Sequence, residues 1–535
     1  MKEFRVFGPP GTGKTTYLSK QIKRAVDKTD QIMVASFTRA AAIELTGRDL
    51  PISKHRIGTL HSFCYRSLGY PEIADTPKWC KKWNELWSNP EWKLSGSKTS
   101  VEDPWGFDIV RRSDADAWLQ EYSRLRTALI PRERWRSKSV IAFAEHWDAW
   151  KRENDLLDFT DLILVCLEKV PRPPFHVDIG FFDEVQDFSP AELALVRKWG
   201  STFERSIVLA GDDDQTIYAF RGSVPDAFLF PGLPEDHIKI LGQSYRLPRA
   251  IKKLADKWIR GVERRQEKPF EARDEPGSVS PIRGNASMAG EIVKKAYELA
   301  GSGESVMILG SCSFMLESAI SAMKMEGIPF HNPYRPTNGA WNPWRGGIDR
   351  LQNFLTDDIE LWGNLTKEHT WKSVWRWFEL INTKTAKPNR GAKRYVKMLA
   401  TDDKSADVPL KPEDWAELGI KPPEGNLEWL QKHILSRHES LMAFPFQVVR
   451  KRGIRALAEK PQIVVGTIHS VKGGQAENVI LLPDISYAAE CEVVEKGRPL
   501  RDALRRLWYV GVTRARRRLF VADAMNPGRT VHANV

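Results

Sequence analysis

The stretch GPPGTGKTT, residues 8–16, is the feature that most restricts how this chain folds. It has the spacing G-x-x-x-x-G-K-[ST] of a phosphate-binding loop, and it stands between the β-rich run FRVFG and a helical pattern from Lys14 to Ala25. Such a loop forms where a strand ends and a helix begins, because its backbone N–H groups must converge on phosphates at the helix N-terminus. The sequence therefore predicts a nucleotide site on an α/β sheet.

The alternation of β-rich runs and helical patterns continues along the chain. After the loop come QIMVASF, a helix over Ala40 to Leu45, HVDIGFFDE, a helix over Ala191 to Trp199, and RSIVLAGD. A second set contains HIKIL, SVMILG, QIVVGTIH, NVILLP and RRLFVAD. Strands that alternate with helices imply parallel sheets covered on both faces. The predicted fold class is α/β, with two parallel-sheet units.

Two tryptophan-rich stretches, roughly 76–150 and 336–450, interrupt this alternation with charged sequence of helical character. They are predicted to be mainly helical insertions, one in each unit. Seventeen of the 20 tryptophans lie there. Small helical inserts need large side chains to bury enough area, so these tryptophans are predicted to be core residues. The alternative is that a few stack on bases or wedge a duplex.

Composition limits the partners and the compartment. A chain of 535 residues is longer than a single hydrophobic core usually supports. Its formal net charge of +12 favours a polyanionic partner without identifying it. The five cysteines include no C-x-x-C pair, and no His cluster has metal-ligand spacing, which predicts a reducing compartment and no structural zinc. With no signal peptide and no apolar run of about 18 residues, we expect a cytoplasmic protein that binds no membrane.

The phosphate loop and an acidic turn predict a site for ATP and Mg²⁺. Lys14 is expected to neutralise the β and γ phosphates, and the Thr15 hydroxyl to ligate the metal. The turn FFDEVQD then supplies Asp183 for the metal and Glu184 for the attacking water. Alternatively, this acidic turn only caps the helix that begins near Ser189. The predicted nucleotide-binding loop comprises Gly8, Pro9, Pro10, Gly11, Thr12, Gly13, Lys14, Thr15 and Thr16.

An ordered series of motifs resembles that of the UvrD/Rep family of superfamily 1 DNA helicases. After the phosphate loop come SFTRAAAIEL, GTLHSFCYR, DFTDL, FFDEVQD, GDDDQTIYAFRGS, QSYRLP, GTIHSVKGGQAENV and LWYVGVTRARRRL. The resemblance covers both sheet units, whereas the two insertions carry no recognisable signature. It implies two RecA-like units, formed by residues 1–75 with 151–242 and by residues 243–335 with 451–535, and insertions at 76–150 and 336–450.

The resemblance also implies an activity. It predicts an ATP-dependent helicase that moves 3′ to 5′ on single-stranded DNA and unwinds duplex, with ATP and Mg²⁺ as cofactors. Single-stranded DNA and single/double-strand junctions are the implied partners, and a monomer is the default. Two rivals stay open: a translocase that strips proteins from a strand, and an ATP-gated DNA-binding regulator of recombination. RNA is a third possibility, since stacking and phosphate contacts do not distinguish it from DNA.

Residue roles follow from the same resemblance. Gln215 corresponds to a γ-phosphate sensor, and Arg246 and Arg514 to arginines that reach the γ-phosphate from the second unit. Tyr245 matches an adenine-stacking tyrosine, and Gln475 replaces a glutamate that contacts the nucleotide. The alternative for the two arginines is a place on the helix surface beside carboxylates. Arg514 opens the run RARRR, whose other arginines are predicted to form a mostly solvated face.

Six positions match residues that face single-stranded DNA in the family. Aromatic faces suit this role because any base stacks on them without sequence preference. The alternative for the two phenylalanines is an ordinary place in the core at a strand end. The predicted contacts are Phe37, Thr59, His61, Tyr218, Phe220 and His469.

The sequence also departs from the family pattern. Only seven residues precede the phosphate loop, too few for the glutamine-bearing segment that reads the adenine edge. We therefore expect weak readout of the base and use of other nucleoside triphosphates. The chain stops at Val535, about fifteen residues past the last predicted strand, so no C-terminal nuclease is expected. Compact members of this kind are often encoded by bacteriophages, which suggests a bacterial or phage-infected cell.

Overall fold

The computed structural model describes residues 2–37, 47, 50–96, 113–336, 338–343, 346–355, 369–420 and 427–534. Two six-stranded parallel sheets organise these residues. Parallel neighbours need crossover connections, which the intervening helices supply. The predicted α/β class with two RecA-like parallel-sheet units is therefore confirmed. The helix expected over Ala40 to Leu45 lies outside the described residues.

The first sheet has the order β3-β2-β4-β5-β1-β6. Its partner pairs include Ser36 with Asp183 and Phe7 with Gly211, so the carboxyl ends of four strands meet at one edge. Loops after those ends carry the phosphate loop and the acidic turn. The strands are β1 (Lys2–Phe7), β2 (Ile32–Ser36), β3 (Ile57–Thr59), β4 (Ile179–Asp183), β5 (Ser206–Gly211) and β6 (Ile238–Ile240).

The place of β6 corrects one expectation. The strand pattern grouped HIKIL with the strands of the second unit, although the predicted bounds 151–242 placed it in the first, and β6 pairs in parallel with β1, from Arg5–Ile238 to Phe7–Ile240. It therefore forms an edge of the first sheet. A three-residue strand such as Ile238–Ile240 has the same pattern in either sheet, and only its pairing partner decides which one it joins.

Helices cover the first sheet and build its insertion. Trp83 in the insertion lies 5.0 Å from Trp147 and 5.4 Å from Trp150, measured between ring centroids. The helices beside the sheet are Lys14–Val26, Leu60–Ser67, Phe159–Lys169, Pro190–Gly200 and Pro225–Leu229. Those of the insertion are Pro77–Glu85, Asp114–Thr127 and Lys138–Glu153.

The second sheet has the order β11-β12-β10-β13-β14-β9, and a two-stranded parallel pair precedes it in the chain. That pair joins β7 (Gln243–Pro248) to β8 (Glu271–Arg273). The strands of the large sheet are β9 (Ser278–Ile282), β10 (Val306–Gly310), β11 (Phe330–His331), β12 (Ile463–Thr467), β13 (Ala476–Leu481) and β14 (Ala515–Ala522).

The second insertion packs directly on this sheet. Phe444 of the insertion lies 5.6 Å from Phe330 of β11, measured between ring centroids. The insertion helices are Gly347–Phe354, Trp371–Phe378, Thr383–Ala386, Ala392–Thr401, Pro412–Leu418, Leu427–His433 and Ser436–Arg452. The helices of the second unit outside the insertion are Arg249–Ile259, Gly290–Gly301, Glu317–Met325, Tyr487–Lys496, Arg498–Val512 and Val531–Asn534.

The described tryptophans of both insertions lie in or against hydrophobic cores. In the second insertion, Trp377 lies 5.2 Å from Phe354 and is fully buried. The burial of these aromatic side chains agrees with the packing role that was predicted for them. Trp105, Trp344 and Trp362 lie outside the described residues. Among the described helices, none combines the length and the apolar character needed to cross a bilayer.

Candidate functional site

The phosphate loop leaves β1 and opens the helix Lys14–Val26. Gly11 and Gly13 have φ values of 76° and 75°, which glycine adopts without steric cost. Gly8 N donates to Gly211 O at 2.9 Å, and Thr12 N donates to Pro9 O at 3.1 Å. The loop is thus anchored to the end of β5, with the first turn of the helix, which includes Thr15 and Thr16, at its base.

Lys14 is held by the acidic turn. Its Nζ lies 3.0 Å from Asp183 Oδ1 and 2.8 Å from Glu184 Oε1. Burial opposes the charge of Lys14, but the two carboxylates outweigh it and raise the pKa of Lys14. Burial likewise opposes ionisation of Glu184, yet Lys14 and then Lys472 lower its pKa to about 2. A phosphate would therefore meet a charged lysine beside the charged Glu184 carboxylate.

Thr15 and Asp183, the two predicted metal ligands, lie together. Thr15 Oγ1 donates to Asp183 Oδ2 at 3.5 Å. The Asp183 side chain is 2% exposed, and burial raises its pKa although Lys14 opposes the shift. A buried carboxylate gains most from a cation, and Mg²⁺ typically takes one or two carboxylates together with waters and substrate phosphates. The donor set fits magnesium.

Glu184 has a backbone that few residues adopt. Its φ is 55°, in the left-handed region where residues other than glycine are uncommon and often mark functional sites. Gln186 Nε2 donates to Glu184 Oε2 at 2.5 Å. The acidic turn does not cap the following helix, since Ser189 and Glu192 form a capping box at the start of Pro190–Gly200. The carboxylates of Asp183 and Glu184 are therefore left to the nucleotide cleft.

Arg514 crosses from the second unit to Gln215. Its Nη2 donates to Gln215 Oε1 at 3.0 Å, its Nη1 to Gly474 O at 3.1 Å, and its side chain is 1% exposed. The other end of the Gln215 amide donates to Asp212 Oδ2 at 2.7 Å. The two residues predicted to meet the γ-phosphate from opposite units thus touch each other.

Arg246 lies on β7, against the phosphate loop. Its Nε donates to Gln475 Oε1 at 2.8 Å, and a Cβ added to Gly11 would lie 2.3 Å from Arg246 Cβ. Burial lowers the pKa of Arg246 to about 9, with a further contribution from Arg514, and burial lowers that of Arg514 to about 10. Neither guanidinium forms an ion pair with a described carboxylate, so the cleft holds two adjacent cations suited to an anion.

Tyr245 is exposed beside the loop. Its backbone N donates to Gly11 O at 2.8 Å, whereas its side chain is 69% exposed. The Ser244 hydroxyl donates to Pro10 O at 2.7 Å, which ties the same strand to the loop a second time. An exposed aromatic ring at the mouth of the cleft is available for a base to stack on.

Four of the six predicted DNA contacts form one aromatic cluster at the junction of the units: Phe37, Tyr218, Phe220 and His469. Ring centroids lie 5.5 Å apart for Phe37 and Tyr218, 5.8 Å for Tyr218 and Phe220, and 5.7 Å for Phe220 and His469. Tyr218 and His469 are buried, and burial lowers the pKa of His469 to about 3. In this arrangement only Phe37 and Phe220, both half-buried, offer ring surface.

Thr59 and His61 lie apart from that cluster. Thr59 Oγ1 accepts from Ser62 N at 3.3 Å and caps the helix Leu60–Ser67, and His61 Nδ1 lies 3.6 Å from Glu192 Oε1. Arg221 links the two places: its Cζ lies 5.1 Å from the Phe37 ring centroid, and it adds to the burial that lowers the pKa of His61. Arg221 escaped the sequence analysis, although it directly follows Phe220 in the motif.

Two further groups of charges were missed by the sequence analysis. Lys472 pairs with Asp187, and Lys268 lies among Asp212, Asp213 and Asp214. Their only sequence signal was charge within the motifs DEVQD, SVKGG and GDDDQ, and Lys268 lies outside every motif. In the run RARRR, Arg517 is exposed, and its guanidinium lies 2.9 Å from the Glu304 carboxylate.

Comparison with known proteins gives one domain family and several relatives. Residues 2–230 match the UvrD/REP helicase N-terminal domain. YjcD of Bacillus subtilis, a DNA helicase by name, is 28% identical over 300 residues, which cover 50% of this chain and 38% of YjcD. The ATP-dependent DNA helicase PcrA of Staphylococcus epidermidis is 26% identical over 289 residues, 48% of this chain and 38% of PcrA. The PcrA of Staphylococcus aureus is 25% identical over 290 residues, with the same coverage.

These matches confirm the resemblance to UvrD-like superfamily 1 helicases that the motifs predicted. The matched stretch covers well under two thirds of each of these relatives.

Proposed function

We propose that this chain is an ATP-dependent DNA helicase, because residues 2–230 match the UvrD/REP helicase N-terminal domain. It moves 3′ to 5′ along single-stranded DNA and unwinds duplex. The observation that carries the proposal is the contact of Arg514 with Gln215, because it joins the second unit to the γ-phosphate side of the first. A motor needs such a contact, since the nucleotide must change how the units meet.

The nucleotide cleft supplies the parts of phosphoryl transfer. Lys14 and the loop amides bind the phosphates, Glu184 orients and deprotonates the water, and Arg246 and Arg514 stabilise the charge on the γ-phosphate. Thr15 and Asp183 hold Mg²⁺, which when bound neutralises phosphate charge. Tyr245 stacks on the base. Each role fits the position of the side chain described above.

The strand runs over the aromatic cluster, which joins residues of both units. Closing of the cleft around ATP shifts one part of the cluster against the other, and release of the products reverses the shift. The strand therefore advances in steps. The 3′ to 5′ direction rests on the wording of DFTDL and GDDDQTIYAFRG, which resembles that branch of the family.

The remaining expectations belong to the same proposal. The units comprise residues 1–75 with 151–242 and 243–335 with 451–535, and the segments 76–150 and 336–450 are insertions. The protein acts as a monomer in the cytoplasm, and the absence of disulfides among its five cysteines, all of them in the described ranges, is in keeping with a reducing compartment. Single-stranded DNA and its junctions with duplex are the partners.

Displacement of a labelled strand tests this proposal. Duplexes with a 3′ or a 5′ single-stranded tail are incubated with ATP and magnesium, beside a Lys14→Ala control. We expect displacement only of the 3′-tailed substrate and none by the control. Displacement confined to the 5′ tail would contradict the direction.

A second candidate is a DNA-bound ATPase in which hydrolysis only resets a clamp. The buried Tyr218 and His469 favour it, because a strand cannot stack on either ring in this arrangement. ATP turnover on oligonucleotides of increasing length separates the two. Turnover per bound protein rises with length for a motor and stays constant for a clamp.

A further inference from the structure

Lys472 extends from the segment between β12 and β13 into the first unit. Its Nζ donates to Asp187 at 2.5 Å and 2.6 Å, one bond to each carboxylate oxygen, and to the backbone oxygen of Gln215 at 2.8 Å. The side chains of Lys472 and Asp187 are 10% and 3% exposed. A largely buried cation of one unit is thus enclosed by polar groups of the other.

The partners of Lys472 belong to the hydrolysis machinery. Asp187 ends the turn that begins with Asp183 and Glu184, and Gln215 is the proposed γ-phosphate sensor. Ser223 Oγ also donates to Asp187 O at 2.7 Å, so the end of this turn is held on both its side chain and its backbone. Lys472 therefore fixes the sensor and the acidic turn relative to each other without reaching the phosphate loop.

The same ammonium lies against the aromatic cluster. Lys472 Nζ is 4.9 Å from the ring centroid of Tyr218, within the range of a cation–π contact. Three residues earlier, His469 Nε2 lies 3.2 Å from Ile217 O, and Tyr218 Oη donates to His469 O at 3.5 Å. The segment 469–472 of the second unit thus contacts Ile217 and Tyr218, which follow Gln215 in the chain and lead into the aromatic cluster.

We propose that Lys472 is a positioning residue that couples binding of a strand at the aromatic cluster to the alignment of Gln215 and Asp187 for ATP hydrolysis. The inference rests on the proposed function. A base that stacks on Phe220 shifts the neighbouring Tyr218 ring, and the ammonium over that ring carries the shift to the Gln215 backbone. Because such coupling is reciprocal for binding, ATP also changes the affinity for the strand.

The test compares ATP turnover with and without a single-stranded oligonucleotide. The variants are Lys472→Met, which removes the charge, Lys472→Arg, which keeps it, and Lys460→Met, which removes an exposed lysine of the same unit. Strand affinity is measured by fluorescence anisotropy, and folding by thermal unfolding.

We expect the ratio of strand-stimulated to basal turnover to fall on the order of tenfold in Lys472→Met, since three charge-assisted hydrogen bonds are lost. The KM for ATP changes less than about twofold, because Lys472 meets Gln215 only at its backbone oxygen and has no hydrogen bond to the phosphate loop. Lys472→Arg recovers most of the ratio, and Lys460→Met leaves it intact. A purely structural role would instead lower basal and stimulated turnover in equal proportion.

Asp187→Asn keeps the shape of its side chain and tests the same coupling if Lys472→Met does not fold. We expect a similar loss of stimulation, and no further loss when both substitutions are combined. Full stimulation in both single variants, or proportional loss of basal and stimulated turnover, overturns the inference. Absence of stimulation in the unaltered protein refutes the proposed function instead, so the two failures are distinguishable.

Discussion

Lys268 of the second unit contacts three carboxylates of the first, and its removal should destabilise the fold. Its Nζ lies 2.5 Å from Asp213 Oδ1, 2.9 Å from Asp214 Oδ2 and 3.3 Å from Asp212 Oδ1, and its side chain is 1% exposed. Arg265 also pairs with Asp214, at 2.6 Å. Lys268→Met leaves three buried carboxylates with one remaining cationic partner.

The magnitude follows from burial of the unpaired charge. Removing one partner of a buried ion pair costs about 3–5 kcal/mol, and we expect the lower end because Arg265 still neutralises Asp214. Burial raises the pKa of Asp213 to about 6, even with Lys268 beside it. A raised carboxyl pKa means that the folded state holds the proton more tightly, so stability falls as pH rises from about 4 to 6.

The pH dependence of Lys268→Met provides the sharper test. Loss of Lys268 raises the pKa of Asp213 further, which costs about 1.36 kcal/mol per pKa unit at pH 8 and little at pH 5, where Asp213 is largely protonated in both proteins. Urea unfolding measures the loss of stability in Lys268→Met at pH 8 and at pH 5, and Lys253→Met, at an exposed lysine, is the control. A deficit below about 1 kcal/mol at pH 8, or an equal deficit at both pH values, would refute this reasoning.

Three further predictions concern the nucleotide cleft and the aromatic cluster. Glu184→Gln should lower ATP turnover about 10²- to 10⁴-fold while ATP binding persists, and substantial residual turnover would remove Glu184 as the base. Arg514→Lys should lower single-turnover hydrolysis about 10³- to 10⁵-fold, because an ammonium cannot span Gln215 and Gly474; a loss below about tenfold would argue against a γ-phosphate role. The depressed pKa of His469 means that the unfolded state takes up its proton first, so stability is lost as pH falls from about 6.5 toward 3. The free energy of unfolding should fall between pH 7 and pH 5 by about 2 kcal/mol more in the unaltered protein than in His469→Asn. Equal falls in the two proteins would contradict the lowered pKa of His469.

The nucleotide loop and the class of fold could be predicted from sequence because neighbouring residues decide them. Gly11 and Gly13 permit the left-handed turns of the loop whatever surrounds them, and β-rich runs that alternate with helical patterns specify parallel sheets. The two carboxylates after β4 were likewise readable, since the end of a parallel strand places them at the same edge as the phosphate loop.

Contacts between distant segments were decided only by the tertiary structure. Arg514 and Gln215 are 299 residues apart in the chain, and Lys472 and Asp187 are 285 apart. The order of the motifs identifies such residues but does not show which of them are in contact. The sheet that β6 joins and the burial of His469 also depend on how the two units pack. Local sequence determines backbone shape and side-chain chemistry, whereas burial, and with it the pKa and the partner of each charge, is set by the packing of the whole chain.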